Sequence, residues 1–233
     1  MLSPDGSLEF RIMVTQPEPG ALARLGYQVW LRGQPLIRTS FMGLDIHDQE
    51  PVLGFNVGLT GSHPVPKSGS YNSLIAEYMQ NGSLGRRIDV EVRVWNDGVA
   101  FRYLIPDSTP LTKILIEEEF TEFEFAGDGA VVRSAGLPDA RLSRLDTHAV
   151  FPLPLLVQQP GAGWVAIAES SAGAYPHANL ARLAETRMVT RLIAPTGIAF
   201  EGKTPLTCPW HGIFFGPDRD RLRSAVAARE WDR

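Results

Sequence analysis

The sequence has few of the residues that would indicate a redox or metal-centred enzyme. It contains one cysteine, Cys208, in 233 residues, which excludes an intrachain disulfide and leaves the redox compartment open. The apolar run LTCPWHGIFF around Cys208 predicts a buried, inert thiol. The five histidines show no spacing typical of metal ligands, such as HExxH. These residues by themselves therefore indicate no metal or redox chemistry.

The sequence also lacks long apolar runs and an excess of one charge. The formal net charge is −4, with acidic and basic residues interspersed, so the chain has neither the charge pattern of a nucleic-acid-binding protein nor that of a membrane-binding one. A transmembrane helix needs a span of about 18 apolar residues, and no such span is present. The start MLSPDGSLEF has no charged n-region and no apolar core, so we expect that the protein is not exported or that its signal has been removed.

Helix signals are few, and short strand-like runs fill most of the chain. Every second residue between 88 and 94 is Ile or Val, and those between them are Asp89, Glu91 and Arg93. This period of two predicts a strand with an apolar row on the core and a polar row facing water. Further strands are predicted at 7–15, 27–32, 41–47, 52–60, 113–125, 151–157, 163–169, 187–194 and 206–215.

Turn and helix signals complete the predicted fold. The triplet Asn96-Asp97-Gly98 tolerates positive φ and predicts a hairpin that pairs 86–95 with 99–105. A C-terminal helix is predicted over 218–229, capped by Asp218, and a shorter one near 178–185. Residues 1–233 therefore predict a single all-β domain, a large two-sheet antiparallel β-sandwich with a short C-terminal helix.

Several side chains are candidates for a binding site, although each could instead be an ordinary solvated or core residue. Glu169 ends the apolar run GWVAIAES, where a carboxylate is well placed to bind a hard cation or is simply solvated. Tyr175 and His177 follow in the next loop, where they could line a pocket. A structural role is predicted for His211. Core positions are predicted for Trp164 and Trp210.

The acidic run EEEFTEFE is a second group of carboxylates. Two neighbouring carboxylates can act together as a general acid and a general base. Alternation in this run instead predicts one solvated strand face, formed by Glu118, Phe120, Glu122 and Glu124.

Seven segments, in this order along the chain, resemble the N-terminal domain of glycoside hydrolase family 97, a bacterial α-glucosidase and α-galactosidase family. They are SPDGSLEFRI, YQVWLRGQPLI, SFMGLDI, RRIDVEVRVWNDGVAFRYLIP, EEFTEFEFAGD, VAIAESSAGAYP and GKTPLTCPWHGIFFG. The resemblance runs from about Ser3 to about Asp220. It implies a sandwich of the galactose-mutarotase type, packed in full-length members on a catalytic (β/α)8 barrel. It also implies a periplasmic or extracellular location.

The resemblance further implies that this chain carries no catalytic residue, because the catalytic acid and its partner come from the barrel. Calcium lies in the family's pocket, and the N-terminal domain contributes one glutamate, which the motif VAIAESSAGAYP places at Glu169. Calcium takes about 6–8 oxygen ligands, so we expect this chain alone to bind no calcium tightly. We expect Glu169 to stay exposed at the rim of a shallow pocket, with Tyr175 and His177 nearby as contacts to the sugar.

The chain departs from the family pattern in residues 134–157, where members commonly carry an acidic and tyrosine-containing segment. That departure leaves three functions open. The chain could complete an α-glucoside or α-galactoside pocket on a barrel, act as a freestanding carbohydrate-binding module, or act as an aldose epimerase with a histidine and Glu169 as acid and base. Self-association through 218–231, with Leu222, Val226 and Trp231, is also predicted as an alternative to packing on the same chain.

Overall fold

The computed structural model describes residues 1–66, 70–82, 85–132, 139–171 and 173–231. Within these ranges the chain forms twenty β-strands, one 3-10 helix at Leu142–Arg144 and one α-helix, α1, at Arg219–Ala227. The strands are β1 Leu8–Thr15, β2 Arg24–Leu31, β3 Gln34–Phe41, β4 Leu44–Ile46, β5 Val57–Pro64, β6 Asn72–Gln80, β7 Arg87–Trp95, β8 Gly98–Ile105, β9 Lys113–Glu119, β10 Glu122–Glu124, β11 Ala130–Val131, β12 Ala140–Arg141, β13 Val150–Pro152, β14 Leu155–Gln159, β15 Gly163–Glu169, β16 Asn179–Arg182, β17 Arg187–Arg191, β18 Phe200–Lys203, β19 Leu206–Thr207 and β20 His211–Gly216.

One large sheet organises the fold. Its strand order is β12-β11-β14-β15-β20-β8-β7-β6-β5, and β19 pairs with β8. Three smaller sheets, β1-β2-β3, β18-β9-β4 and β10-β17-β16-β13, supply the facing layer. The pairings between these strands are antiparallel. The predicted all-β antiparallel sandwich is therefore confirmed.

The main core lies between the large sheet and the smaller ones. Phe10 of β1 and Tyr27 of β2 stack with ring centroids 5.5 Å apart, and Phe101 of β8 lies 4.9 Å from Tyr27. Cys208 is buried in the same cluster, as predicted, and burial raises the pKa of its thiol. Aromatic packing of this kind joins the two layers into one hydrophobic core.

The β7–β8 hairpin forms as predicted, but for a different local reason. Its register runs from Asp89↔Leu104 to Trp95↔Gly98, so Asn96 and Asp97 make the turn. None of the three turn residues takes a positive φ. A Cβ on Gly98 would lie 2.2 Å from the Phe214 ring. Glycine is needed here because an aromatic ring from the neighbouring strand occupies the space.

The polar row predicted to face water on β7 is largely buried. Glu91 and Arg93 are 4% and 8% exposed. Glu91 pairs with Arg102 at 2.8 Å, and both Arg93 and Arg102 lie over the Trp210 ring. The outer face of the large sheet is covered by a second aromatic cluster and by α1. Alternation identified the two faces correctly, but could not show that both are covered.

Helix α1 begins where predicted, and Asp218 accepts a hydrogen bond from the Arg221 backbone N–H at 2.8 Å. Its apolar residues Leu222 and Val226 are buried in the outer-face cluster. Self-association through these two side chains is therefore not supported, because they already pack on the chain's own sheet. The helix predicted near 178–185 is wrong, since β16 and the turn after it occupy this region.

Two predicted strands are interrupted. The run 113–125 divides into β9 and β10, which lie in different sheets, and 151–157 divides into β13 and β14. The solvated face predicted for 118–124 is also wrong: Glu122 is buried, and Glu118, Phe120 and Glu124 are half-buried. The break at Phe120 and Thr121 reorients the chain, so strict alternation does not continue across it.

No helix among the described residues is long and apolar enough to cross a membrane.

Candidate functional site

A cleft of about 530 Å³ opens at the end of β15. One wall is formed by the strand end 168–171 and the segment 177–179, and a second by the turn 152–154. The third wall comes from the C-terminal end of the described chain, through Val226, Ala227, Arg229 and Trp231. The cleft thus lies between the sandwich and the segment that follows α1.

Glu169 lies at the inner side of this cleft. It is the last residue of β15, and its side chain is 3% exposed. Its Oε2 atom accepts a hydrogen bond from the Ala178 backbone N–H at 3.1 Å and lies 3.2 Å from His177 Nδ1. The expected exposed position at the rim is wrong, because β15 directs this side chain toward the sandwich interior. Burial raises the pKa of the Glu169 carboxyl, and the charge of His211 partly opposes that rise.

His177 and Tyr175 occupy very different environments. The His177 ring is 77% exposed beside Glu169, at the mouth of the cleft. Tyr175 is 5% exposed, packs on Phe200 with ring centroids 5.0 Å apart, and donates a hydrogen bond to Glu119 Oε2 at 3.2 Å. The prediction of Tyr175 as a surface sugar contact does not fit this placement, because its ring and hydroxyl are used inside the core.

A buried polar network lies directly behind Glu169. Glu119 of β9 and His211 of β20 have no exposed side-chain surface, and their Oε1 and Nε2 atoms are 2.7 Å apart. Thr121 also donates to Glu119 Oε1, at 2.6 Å. His211 pairs directly with Glu169 across β15 and β20, so both side chains project from the same face of the sheet. The cleft carboxylate is therefore backed by a buried charge pair.

The charges in this network affect one another. Burial alone would raise the pKa of Glu119, but the charge of His211 and the hydrogen bonds from Thr121 and Tyr175 lower it overall. Burial opposes protonation of His211, whereas the Glu119 carboxylate raises its pKa overall. Both directions favour the ionised pair. The structural role predicted for His211 agrees with this burial, but its partner could not be identified from sequence because β9 and β20 are distant in the chain.

Trp164 and Trp210, both predicted as core residues, differ in burial. Trp210 is 1% exposed and belongs to the core as predicted, although to the outer-face cluster. Trp164 is half-buried on the same outer face, with the Arg219 guanidinium 6.0 Å from its ring. Neither lines the cleft beside Glu169.

The comparison with known protein families agrees with this architecture. The model described as "Glycosyl-hydrolase 97 N-terminal" matches residues 1–225. The chain belongs to this family. It is therefore an N-terminal β-sandwich domain of glycoside hydrolase family 97, as the resemblance of its seven segments predicted. No curated protein matches the chain.

Solved family 97 structures share the fold. The chain is similar to a glycoside hydrolase family 97 enzyme from Pseudoalteromonas sp. strain K8, solved in complex with acarbose and with panose, at 18% identity and a TM-score of 0.77. The alignment covers 93% of this chain and 35% of that enzyme. A β-arabinopyranosidase gives 21% identity and a TM-score of 0.74, covering 93% of this chain and 40% of the other. At these identities the likeness shows the fold alone.

The family 97 domain can offer calcium one carboxylate. Among the residues that the structure describes, no group of three or more His, Cys, Asp or Glu side chains could hold a metal ion. Glu169 could act as a single oxygen donor, because it lines the cleft and, among the described residues, forms no ion pair with an arginine or lysine. Since calcium takes about 6–8 oxygens, the remaining ligands would have to come from outside this cleft.

The segment 134–157, where the sequence departs from the family pattern, contributes to the cleft only at its end. Residues 134–138 lie outside the described part of the chain. Pro152, Leu153 and Pro154 form one cleft wall. The departure therefore supplies an apolar wall rather than a second carboxylate at this position.

Proposed function

We propose that this domain forms one side of the sugar pocket of a family 97 glycosidase, with Glu169 as the side chain that it contributes to the reacting end of that pocket. The observation that carries the proposal is the placement of the Glu169 carboxylate, which is buried, lines the cleft and lies beside the exposed His177 ring. Ligand sites typically combine a concave apolar wall with a few placed polar groups. This cleft has that composition.

Among the residues that the structure describes, Glu169 is the one carboxylate that lines the cleft, whereas glycoside hydrolysis needs a pair. Glu119 is the carboxylate directly behind Glu169, but it has no exposed surface and is held by His211, Thr121 and Tyr175. A substrate in the cleft can reach one carboxylate and not the other. We therefore infer that the catalytic carboxylates belong to a (β/α)8 barrel, on the same chain or on another one.

The sugar that we propose is an α-linked glucoside or galactoside. The Pseudoalteromonas enzyme was solved with panose and with acarbose, which makes panose a suitable first probe for this chain. A periplasmic or extracellular location would suit this role.

Calcium is the metal that we propose for the complete pocket. When bound, it would act as a Lewis acid and stabilise negative charge that develops on a sugar oxygen. The contribution of this chain is the Glu169 carboxylate, held in place by the Ala178 backbone N–H and by His177. His177 adds an exposed imidazole that can hydrogen-bond a sugar hydroxyl.

Titration of the ¹⁵N-labelled chain with panose tests this proposal. We expect shifts in the backbone amides of 168–171 and 177–179, saturating in the millimolar range, because one side of a pocket makes only part of its contacts. Glu169→Gln and His177→Ala should each weaken binding, whereas Lys113→Gln, in an exposed ion pair with Glu201 on β18, should not.

The affinity for panose distinguishes the proposed pocket domain from a freestanding carbohydrate-binding module. Micromolar binding of panose would favour a freestanding carbohydrate-binding module, and no amide shift at saturating sugar would contradict a sugar site in this cleft.

The contact between Glu169 and His177 also places an acid and a base together, as an aldose epimerase would require. Faster mutarotation of glucose or galactose in a polarimeter, lost in Glu169→Gln, would support that alternative.

A further inference from the structure

One wall of the cleft comes from the last turn of α1 and the segment that follows it. Val226, Ala227, Arg229 and Trp231 line this side. Of the described residues around the cleft, Trp231 carries the one phenyl- or indole-type ring. The sequence did not indicate this position, because Trp231 is 62 residues from Glu169 along the chain and only the docking of α1 brings them to one cleft.

Trp231 is held in a defined position by contacts to two strands of the large sheet, β7 and β20. Its backbone carbonyl accepts a hydrogen bond from Arg93 Nη1 of β7 at 2.6 Å. Its ring packs edge-on against Phe214 of β20, with centroids 5.5 Å apart and an interplanar angle of 70°. One end of the ring lies over Gly212, where a Cβ would approach it to 2.6 Å. The absence of a side chain at Gly212 gives the indole its place against the sheet.

The anchoring residue is itself fixed. Arg93 is 8% exposed, lies over the Trp210 ring at 4.6 Å and over the Tyr71 ring at 5.0 Å, and neighbours Glu91 at 3.4 Å. A guanidinium between two aromatic rings has little rotational freedom. The Trp231 carbonyl is therefore bound to a rigid donor, although the residue follows the last turn of α1.

The chemistry of the cleft surface matches that of a pyranose. A sugar ring has an apolar face of C–H groups and a rim of hydroxyls, so it is bound best between an aromatic surface and polar side chains. Trp231 supplies an indole on one wall, and Glu169 and His177 supply an acceptor and a donor or acceptor on the other. Pro152 and Pro154 complete the apolar lining.

We propose that Trp231 is the surface on which a pyranose ring packs in this cleft, with its hydroxyls directed to Glu169 and His177. This inference rests on the proposed function, because it names the aromatic contact for the same sugar. Trp231 thereby takes the role that Tyr175 was expected to have, and the segment after α1 becomes part of the binding site.

The indole N–H signals of the five tryptophans provide a direct test. They can be assigned with single Trp→Phe variants and followed during a panose titration of the whole chain. We expect the Trp231 signal to shift with the same dissociation constant as the amide of Glu169. The Trp164 signal, from the opposite end of β15, should not shift.

Variants measure how much the ring contributes. Trp231→Ala should weaken panose binding about fivefold, since an aromatic contact contributes on the order of 1 kcal/mol, whereas Trp231→Phe should retain most of the affinity. Trp164→Ala is the matched control, because it removes a half-buried indole from the same outer face away from the cleft, and should leave the affinity unchanged.

The outcomes separate this inference from the proposed function. Unchanged affinity in a folded Trp231→Ala variant, with a loss in Glu169→Gln, overturns the role of Trp231 and leaves the sugar site in place. No loss in either variant overturns both. If Trp231→Ala does not fold, the wild-type indole titration decides: a Trp231 signal that stays fixed while the Glu169 amide shifts rejects the proposal.

Discussion

The Nε2 atom of His211 lies 2.7 Å from the Oε1 atom of Glu119, and neither side chain has any exposed surface. The two residues come from β20 of the large sheet and β9 of the facing layer, so this contact crosses the sandwich. Thr121 donates a second contact to Oε1 of this carboxylate, and Tyr175 donates a hydrogen bond to Oε2. A buried charge pair of this kind costs desolvation energy and is tolerated because each charge has its partner.

Removing one partner of the Glu119–His211 pair should therefore destabilise the domain. We expect Glu119→Gln to lower the free energy of unfolding by about 3–5 kcal/mol, because it leaves a charged or unpaired imidazole in the core. Urea denaturation of wild type and variant measures the change. Glu201→Gln breaks the exposed pair with Lys113 and should have little effect. Equal effects of the two variants would show that the buried pair does not stabilise the core.

The same pair should give stability a maximum in mildly acidic solution. The pKa of Glu119 is lowered in the folded state, so its contribution is present above the ordinary glutamate pKa of about 4.3 and is lost as the pH falls through the lower folded value. The pKa of His211 is raised, so its contribution is complete below the ordinary histidine pKa of about 6.5 and is lost as the pH rises through the higher folded value.

We accordingly expect the stability difference between wild type and a Glu119→Gln/His211→Gln double variant to be largest near pH 5–6, between those two ordinary pKa values, and to decrease on both sides. Thermal unfolding from pH 4 to 9 measures it. A difference that is constant with pH, or that grows steadily above pH 8, would contradict an ionised pair.

Gly98 should tolerate no side chain. A Cβ at this position would meet the Phe214 ring at 2.2 Å and the Ile213 carbonyl at 2.7 Å, so Gly98→Ala should destabilise the domain by about 1–3 kcal/mol through overpacking. Gly216→Ala is the matched control on the adjacent strand, where the nearest atom would be Leu222 Cβ at 3.8 Å. A Gly98→Ala variant as stable as Gly216→Ala would mean that the ring moves aside freely.

Calcium should bind weakly to this chain alone. Glu169 offers one carboxylate, and the affinity of a calcium site falls as charged ligands are removed. Isothermal titration with calcium should show no binding in the micromolar range, for either wild type or Glu169→Ala. Micromolar binding that is lost in Glu169→Ala would show that the domain builds a complete site.

The isolated chain should not hydrolyse glycosides at a useful rate. In the described part of the chain no second carboxylate lines the cleft with Glu169, and the neighbouring Glu119 is enclosed by the core. Release of nitrophenol from nitrophenyl α-glucoside and α-galactoside should stay at the background rate. Steady turnover that disappears in Glu169→Gln would refute this expectation and identify the carboxylate responsible.

Features that depend on neighbouring residues in the chain were determined by the sequence alone. The alternation in 88–94 and the turn at Asn96 and Asp97 predicted the β7–β8 hairpin, and Asp218 predicted the start of α1. The seven motif segments identified the family, and the end of an apolar strand placed Glu169 correctly at the end of β15. Local backbone geometry and short-range patterning suffice for such predictions.

Features that depend on distant strands were decided only by the tertiary structure. The sequence could not show that β20 places His211 beside Glu169, or that Glu119 reaches across the layers to pair with it. It also could not show that Trp210 covers Arg93 in the polar row of β7, or that the chain after α1 brings Trp231 to the cleft. Alternation assigns residues to the two faces of a strand, but strand order, register and packing decide what each face meets. That is why Tyr175 became a core residue and Trp231 a residue of the cleft.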